Sequence, residues 1–234
     1  MQRTVGGISY TFQHKKVKNY NLRITRTGEI RVSAPNKTPL RQIDDFVLRH
    51  SAFIVSSQKK VQSLPGWINP KPEYQPGDQF WLFGNAYTVA AVHGITAPLL
   101  REKYIFFPEY CFPVQRKSQL VRTFLQQQLS VQIAAFLKEY LPKIQMLYQK
   151  KPTKICYKDL KARYGSCQPQ AGILTFSLLL AHLPPAAVAY VVVHELAHLQ
   201  VPNHSAAFYQ TVAALMPDYL AALHLLKGKS KDLC

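Results

Sequence analysis

The chain has 234 residues, enough for one large domain or two small ones, and its 47% hydrophobic and 18% charged content excludes a disordered chain. Its 29 basic and 12 acidic residues give a net charge of +17, a surface that attracts polyanions without sequence preference. Fifteen basic and 7 acidic residues lie up to Gln115, and 14 and 5 from Arg116 on, so this division shows no detachable basic tail.

The opening MQRTVGGISY lacks the apolar core of a secretory signal. Four scattered cysteines (Cys111, Cys156, Cys167, Cys234) form no CxxC pair and no disulfide framework, so a reducing, cytoplasmic setting is expected. ISYTF, YNLRIT and IRVSAP alternate apolar and polar residues, with Gly28 in the turn of a hairpin. TPLRQIDDFVLRHSAFIVSSQKK carries Leu40, Ile43, Phe46, Val47, Phe53 and Ile54 at helical spacing, with Thr38 as a candidate cap. LPGWINPKPEYQPGDQ reads as a loop, and FWLFGNAYTVAAV as a hairpin turning at Gly84-Asn85.

From about Lys117 a long amphipathic helix places Leu120, Phe124, Leu129, Ile133, Phe136, Leu137 and Tyr140 on one face, until Pro142 bends or ends it. KICYKDL reads as a strand, RYGSCQPQAG as a loop and ILTFSLLL as a second, buried strand. No Lys, Arg, Asp or Glu lies between Arg163 and Glu195, yet Pro184-Pro185 divides that stretch, so it reads as core and not as a membrane span. These elements predict an α+β fold, with a β-rich region over 1–115 and a helix-rich region over 116–234 that share one extended core across a soft boundary.

HELAHLQVPNH, residues 194–204, carries the chemistry. His194 and His198 are four apart, hence on one side of a helix, and can offer two imidazoles to one ion. Glu195 is rotated by about 100° from His194, within reach of a water at that ion without having to ligate it. Pro202 ends the helix, the chain can turn at Pro202-Asn203, and His204 can return as third ligand, with Ser205 capping the next helix. Three protein ligands and one open position describe a catalytic zinc site, although other divalent metals suit the same donors. A buried Glu195 without a cationic neighbour also needs such a role to justify its burial. Cys167 would close the site as a fourth ligand, and reads better as a buried thiol. Ser166 reads as a turn hydroxyl, since no base is evident for it. Arg163 could steady an oxyanion or phosphate, or pair with a carboxylate.

The segment KARYGSCQPQAGILTFSLLLAHLPPAAVAYVVVHELAHLQVPNHSAAFYQTVAALMPDY resembles the YgjP-like metal-dependent hydrolases, relatives of the SprT-like zincin metallopeptidases. YNLRITRTGEIRVSAP and FGNAYTV resemble that family's β-rich front half, so the likeness spans most of the chain and is most specific over Leu160–Tyr219. The resemblance implies a zincin-like HExxH domain, zinc held by His194, His198 and His204, and Glu195 as general base. It puts Arg163, Tyr164, Gly165, Ser166 and Cys167 near the active site, with Tyr164 where the family usually has Trp, and leaves the roles of Asp218 and Tyr219 open. A zinc peptidase acting on peptide or protein substrates is the first reading, with ILTF as the edge strand for an extended substrate. A nucleotide or phosphate-ester hydrolase is the second, favoured by the charge and Arg163. The third is a protease or binding module associated with nucleic acid, which lacks a recognisable DNA-binding motif or a concentrated basic patch.

Overall fold

The computed structural model describes residues 1–25, 28–62, 74–111, 114–160 and 163–227. The fold is α+β, and the chain divides into two compact units, Met1–Pro65 and Gly66–Cys234.

In the first unit β1 (Gln2–Val5), β2 (Ile8–Lys15), β3 (Asn21–Ile24) and β4 (Ile30–Pro35) form a sheet in the order β1-β2-β4-β3. β3 and β4 are the expected antiparallel hairpin, and β2 joins β4 in parallel. β1 was not anticipated, because QRTV is too short and polar to show an alternation. Alternation buries Tyr10, Phe12, Ile30, Val32 and Ala34 against Ile43, Val47 and Ile54. The anticipated single helix is two, α1 (Leu40–Arg49) and α2 (Ser51–Gln62). Thr38 does not cap α1: Pro39 holds that position, and the Thr38 hydroxyl donates to the Pro35 carbonyl. Phe53, placed on the apolar face by its spacing, is 54% exposed. Asp44 ties α1 to the sheet, accepting from Arg3 Nε and Nη2 at 3.1 and 2.6 Å and from the Tyr10 hydroxyl.

The second unit contains a sheet of β5 (Gln79–Leu82), β6 (Asn85–Val92), β7 (Leu99–Arg101) and β8 (Tyr104–Pro108), ordered β5-β6-β8-β7. The hairpin turns at Phe83-Gly84, one residue before the expected position. Most of the proline-rich loop before it lies outside the described residues. The long helix α3 (Val114–Tyr148) runs through Pro142 instead of ending there. Phe80, Ile105 and Phe107 share one core with Phe124, Leu129 and Ile133 of α3, so the division expected near residue 115 falls inside this unit.

A three-stranded sheet follows, from β9 (Lys154–Lys158), β10 (Gly165–Gln168) and β11 (Ile173–Ser177), in the order β10-β11-β9. Two expectations change. RYGSC is not a loop, since its last residues form β10; and ILTF is not an edge, since β11 pairs with β10 on one side and β9 on the other. A 3-10 turn over Leu178–His182 leads into α4 (Pro185–His198), followed by α5 (Ala206–Leu215) and α6 (Tyr219–Lys227). Pro185 opens α4 at a position where its missing N–H costs nothing. α4 is apolar on almost every side: Ala187 to Val193, Leu196 and Ala197 are all buried, so it is the central helix of the core. No described helix is long and apolar enough to cross a membrane.

His182 joins the β5-β6 hairpin to the entrance of α4. Its Nδ1 lies 2.6 Å from the Trp81 carbonyl and must donate there, which leaves Nε2 to face the Tyr74 hydroxyl at 3.4 Å. The Phe83 and Gly84 amides donate to the Ala181 and His182 carbonyls, and Gly84, at φ +79°, lies against Pro184 with no room for a side chain. Burial lowers the His182 pKa from 6.5 to about 4, against the opposing pull of the Trp81 carbonyl. The unfolded chain takes that proton near pH 6.5 and the folded one only near pH 4. The stabilisation is therefore complete above 6.5 and lost as pH falls through that window. Denaturant midpoints are expected to fall between pH 6.5 and 4, less steeply in His182→Gln, as followed by circular dichroism.

Candidate metal centre

The last turn of α4 presents His194 and His198 on one side, as residues one helical turn apart must be. The helix ends at His198, four residues before Pro202, and closes by a turn in which the Leu199 and Gln200 amides donate to Leu196 and Ala197. The extended residues that follow return His204 to the site. Ser205 occupies the N-cap position of α5 in extended conformation, yet its side chain makes no capping bond.

The three side chains converge through the same atom. Nε2 of His194 lies 3.1 Å from Nε2 of His198 and 3.1 Å from Nε2 of His204. His198 Nδ1 is 3.0 Å from the Val201 carbonyl, which can only accept, so Nδ1 carries the proton and Nε2 a lone pair. His194 Nδ1 faces the Tyr190 hydroxyl at 3.4 Å. A tetrahedral ion with nitrogens at about 2.0–2.1 Å would space them at about 3.3–3.4 Å, close to the 3.1 Å separations here. The three histidines therefore fit a divalent metal, and they form the candidate metal-holding group among the described residues.

Phe208, fully buried, forms a floor under all three rings, with centroids at 4.8 Å from His194, 4.5 Å from His198 and 4.9 Å from His204. Lys150, at the end of the long helix, donates to the Leu199 carbonyl at 3.0 Å, which neutralises the negative end of α4 just beyond the ligands. Burial drives the His194 pKa down to about 3, helped by His198 and His204, and lowers that of His198. Both shifts favour the neutral imidazole that metal binding requires.

Glu195 is 5% exposed, and its Oε2 finds no hydrogen-bond donor among the described residues. Burial raises its pKa to about 8, moderated by the charge of Arg163, an exposed residue just before β10. Gly165 explains how the carboxyl fits: a Cβ there would fall 2.8 Å from Glu195 Cγ and Cδ and closer still to Oε1. The glycine of RYGSC is thus required by close approach, not by a turn.

The other candidate residues separate. Tyr164 is buried in the core at 6% exposure, its carbonyl bonded to the Ser177 amide. Ser166 pairs with Thr175 and, by strand alternation, points away from the face that Gly165 turns to Glu195. Cys167 is a free thiol with its pKa pushed up to about 12 by burial and by the charge of Glu195, and it stands outside the histidine group. Asp218 is exposed ahead of α6 and stands outside the histidine group. Tyr219 beside it stacks on Tyr190 at 6.3 Å and on Tyr209 at 6.4 Å, an aromatic row running up to His194. Tyr190 and Phe208 were missed in the sequence, although each stands four residues from a ligand, Tyr190 before His194 and Phe208 after His204. Lys150 had no signal, since only the packed fold brings it to α4.

A family model described as YgjP-like, metallopeptidase domain, matches residues 18–229. The chain belongs to this family. The matched span takes in the histidine group, Glu195 and β10. No curated protein matches the chain. Among solved structures, the metallopeptidase zymogen of Pyrococcus abyssi abylysin is similar at 19% identity, over 45% of this chain and 97% of that one, with a TM-score of 0.36.

His204 is exposed and meets the core only at Phe208, so its loss should report chiefly on the ion. His204→Ala is expected to weaken Co2+ uptake, followed by spectroscopic titration, by more than about 100-fold, the upper end for losses outside the ligand shell. Gly165→Ala, which displaces only Glu195, should leave that uptake within a few-fold.

Proposed function

We propose that this YgjP-like protein is a zinc-dependent, zincin-like peptidase in which His194, His198 and His204 hold the ion and Glu195 is the general base. The observation that carries the reading is the convergence of three histidine Nε2 atoms, with a buried carboxyl one residue along the helix from His194 whose Oε2 has no donor among the described residues. A bound divalent ion supplies Lewis acidity there, polarising a carbonyl and acidifying water. Burial gives Glu195 a proton affinity near neutrality, which suits both halves of its task. Its carboxylate takes a proton from the attacking water as oxygen bonds to the carbonyl carbon. It then delivers that proton to the amide nitrogen as the C–N bond breaks. Arg163 keeps part of the carboxyl population ionised, and Gly165 leaves it room to move.

Peptide is favoured over phosphate ester by β10. It is an outer strand of its sheet, no described strand pairs with its other edge, and Gly165 within it touches Glu195. An extended peptide pairing along Gly165–Gln168 would bring a scissile amide to the carboxyl. The role first considered for ILTF therefore passes to its neighbour. The free thiols of Cys156 and Cys167 agree with a reducing, cytoplasmic setting.

With zinc-loaded protein and unfolded casein, Glu195→Gln is expected to lower turnover by about 10²–10⁴-fold while zinc content, measured by elemental analysis, stays at the wild-type level. Turnover unchanged in that variant would remove Glu195 from the mechanism. Phosphate release from nucleoside triphosphates that depends on Glu195, with casein untouched, would transfer the site to phosphate esters.

A further inference from the structure

The unit boundary redistributes the charge. Met1–Pro65 carries 12 basic and 3 acidic residues, a net +9 on 65 residues, whereas Gly66–Cys234 carries 17 and 9, a net +8 on 169. The first unit thus has roughly three times the net charge per residue of the second. Counting to Gln115 conceals this, because it averages the basic unit with the neutral strands of the next.

The strand registers show where part of that charge stands. One face of the β1–β4 sheet is covered by α1 and α2, and the other is open. Across the open face Gln2 lies beside Thr11, Thr11 beside Arg31, and Arg31 beside Arg23, one continuous row through all four strands. A second row joins Gln13, Ser33 and Asn21, and Lys15 ends β2 on the same side. Gln2, Thr11, Gln13, Lys15, Asn21, Arg23 and Arg31 are exposed. Of the unit's three acids, Asp44 is held by Arg3 and Tyr10 on the covered side, Asp45 lies on α1, and only Glu29 touches this face, against Arg31. Arg23 stands directly opposite Arg31, whose guanidinium meets Glu29 at 2.9 Å, so an anion at this row would lie within reach of two guanidinium groups.

We propose that this open face binds the phosphodiester backbone of nucleic acid without sequence preference. Guanidinium, hydroxyl and carboxamide groups in rows are the side chains that meet phosphate and sugar oxygens. Among the described residues the face has no aromatic side chain on which bases would stack, so backbone contact, not base readout, is its chemistry. Nor do the described residues of this face include an exposed large apolar side chain to insert among acyl chains, which favours nucleic acid over a lipid surface.

The test uses the full chain and a fluorescein-labelled random-sequence DNA duplex, with anisotropy followed over a salt series. Arg23→Gln/Arg31→Gln is expected to weaken binding about tenfold or more and to reduce the slope of log K against log salt by about 2. Arg122→Gln/Lys138→Gln, the same charge change at two exposed positions of α3, should stay within about twofold. Thermal melts of both variants matching wild type exclude misfolding as the cause. Equal losses in the two variants would overturn the proposal in favour of net charge alone, and absence of duplex binding would overturn it outright. Tighter binding to phosphatidylserine vesicles, lost in the Arg23/Arg31 variant, would overturn it in favour of a membrane surface.

Discussion

Four ionisable side chains within eleven residues have to be carried through, or set at the end of, a helix that is otherwise apolar all round, and most of the second unit answers that demand. A buried polar group left without a partner costs roughly 1–3 kcal/mol, and a charged one more. α4 accepts Glu195 at 5% exposure because so much else on the helix is buried hydrocarbon, from Ala187 to Val193 and again at Leu196 and Ala197. The core holds the helix rigid, and the polar cluster exploits that rigidity. The same burial that makes Glu195 costly lifts its proton affinity towards neutrality and keeps His194 and His198 unprotonated, so the electrostatic penalty and the chemical competence have one source.

Around that helix each contact fixes one degree of freedom. The Val201 carbonyl sets the tautomer of His198, and Phe208 sets the planes of all three rings from below. Lys150 holds the carbonyl end where the chain leaves the helix for His204. Tyr148, two residues earlier, bonds the Thr211 hydroxyl at 2.8 Å, which in turn donates to the Ala207 carbonyl, so the end of α3 also anchors α5, the helix that carries Phe208. Orientation of the histidines thus rests on near neighbours, Val201 and Phe208, and on Tyr148 and Lys150 far away in sequence.

What could be read in the sequence follows from this division. Local periodicity revealed α4, α3, the β3-β4 hairpin and the histidine spacing, because each is a repeat along a single segment. Glu195, His194, His198 and His204 were legible as a set because their spacing alone constrains them. RYGSC was not legible as a strand: its Gly and the following Gln-Pro-Gln-Ala-Gly are turn residues by local chemistry, and only pairing with β11 makes Gly165–Gln168 extended. ILTF was misplaced for the same reason, since a buried strand of uniform hydrophobicity does not say how many neighbours it has. The break at His50 between α1 and α2, and the passage of α3 through Pro142, also depend on surroundings that the one-dimensional pattern does not carry.

The two units keep separate cores, Tyr10 to Ile54 in one and Tyr74 to Leu226 in the other, and this bears on how their properties combine. Substitutions that share no partners add independently, so changes to the open sheet face of the first unit and to the histidine centre of the second should leave one another's stability unaffected. Charge obeys a different rule, since fields extend beyond contacts. Among the described residues of the second unit, Arg163 acts on Glu195, and the Lys150 ammonium is bonded to the Leu199 carbonyl. A site so arranged holds one carboxyl near its neutral point instead of gathering anions, while the excess positive charge of the chain resides in greater density on the unit without the metal ligands. The denser positive charge and the histidine group with Glu195 therefore belong to different residues in different units, and each can be altered by substitution without changing the residues of the other.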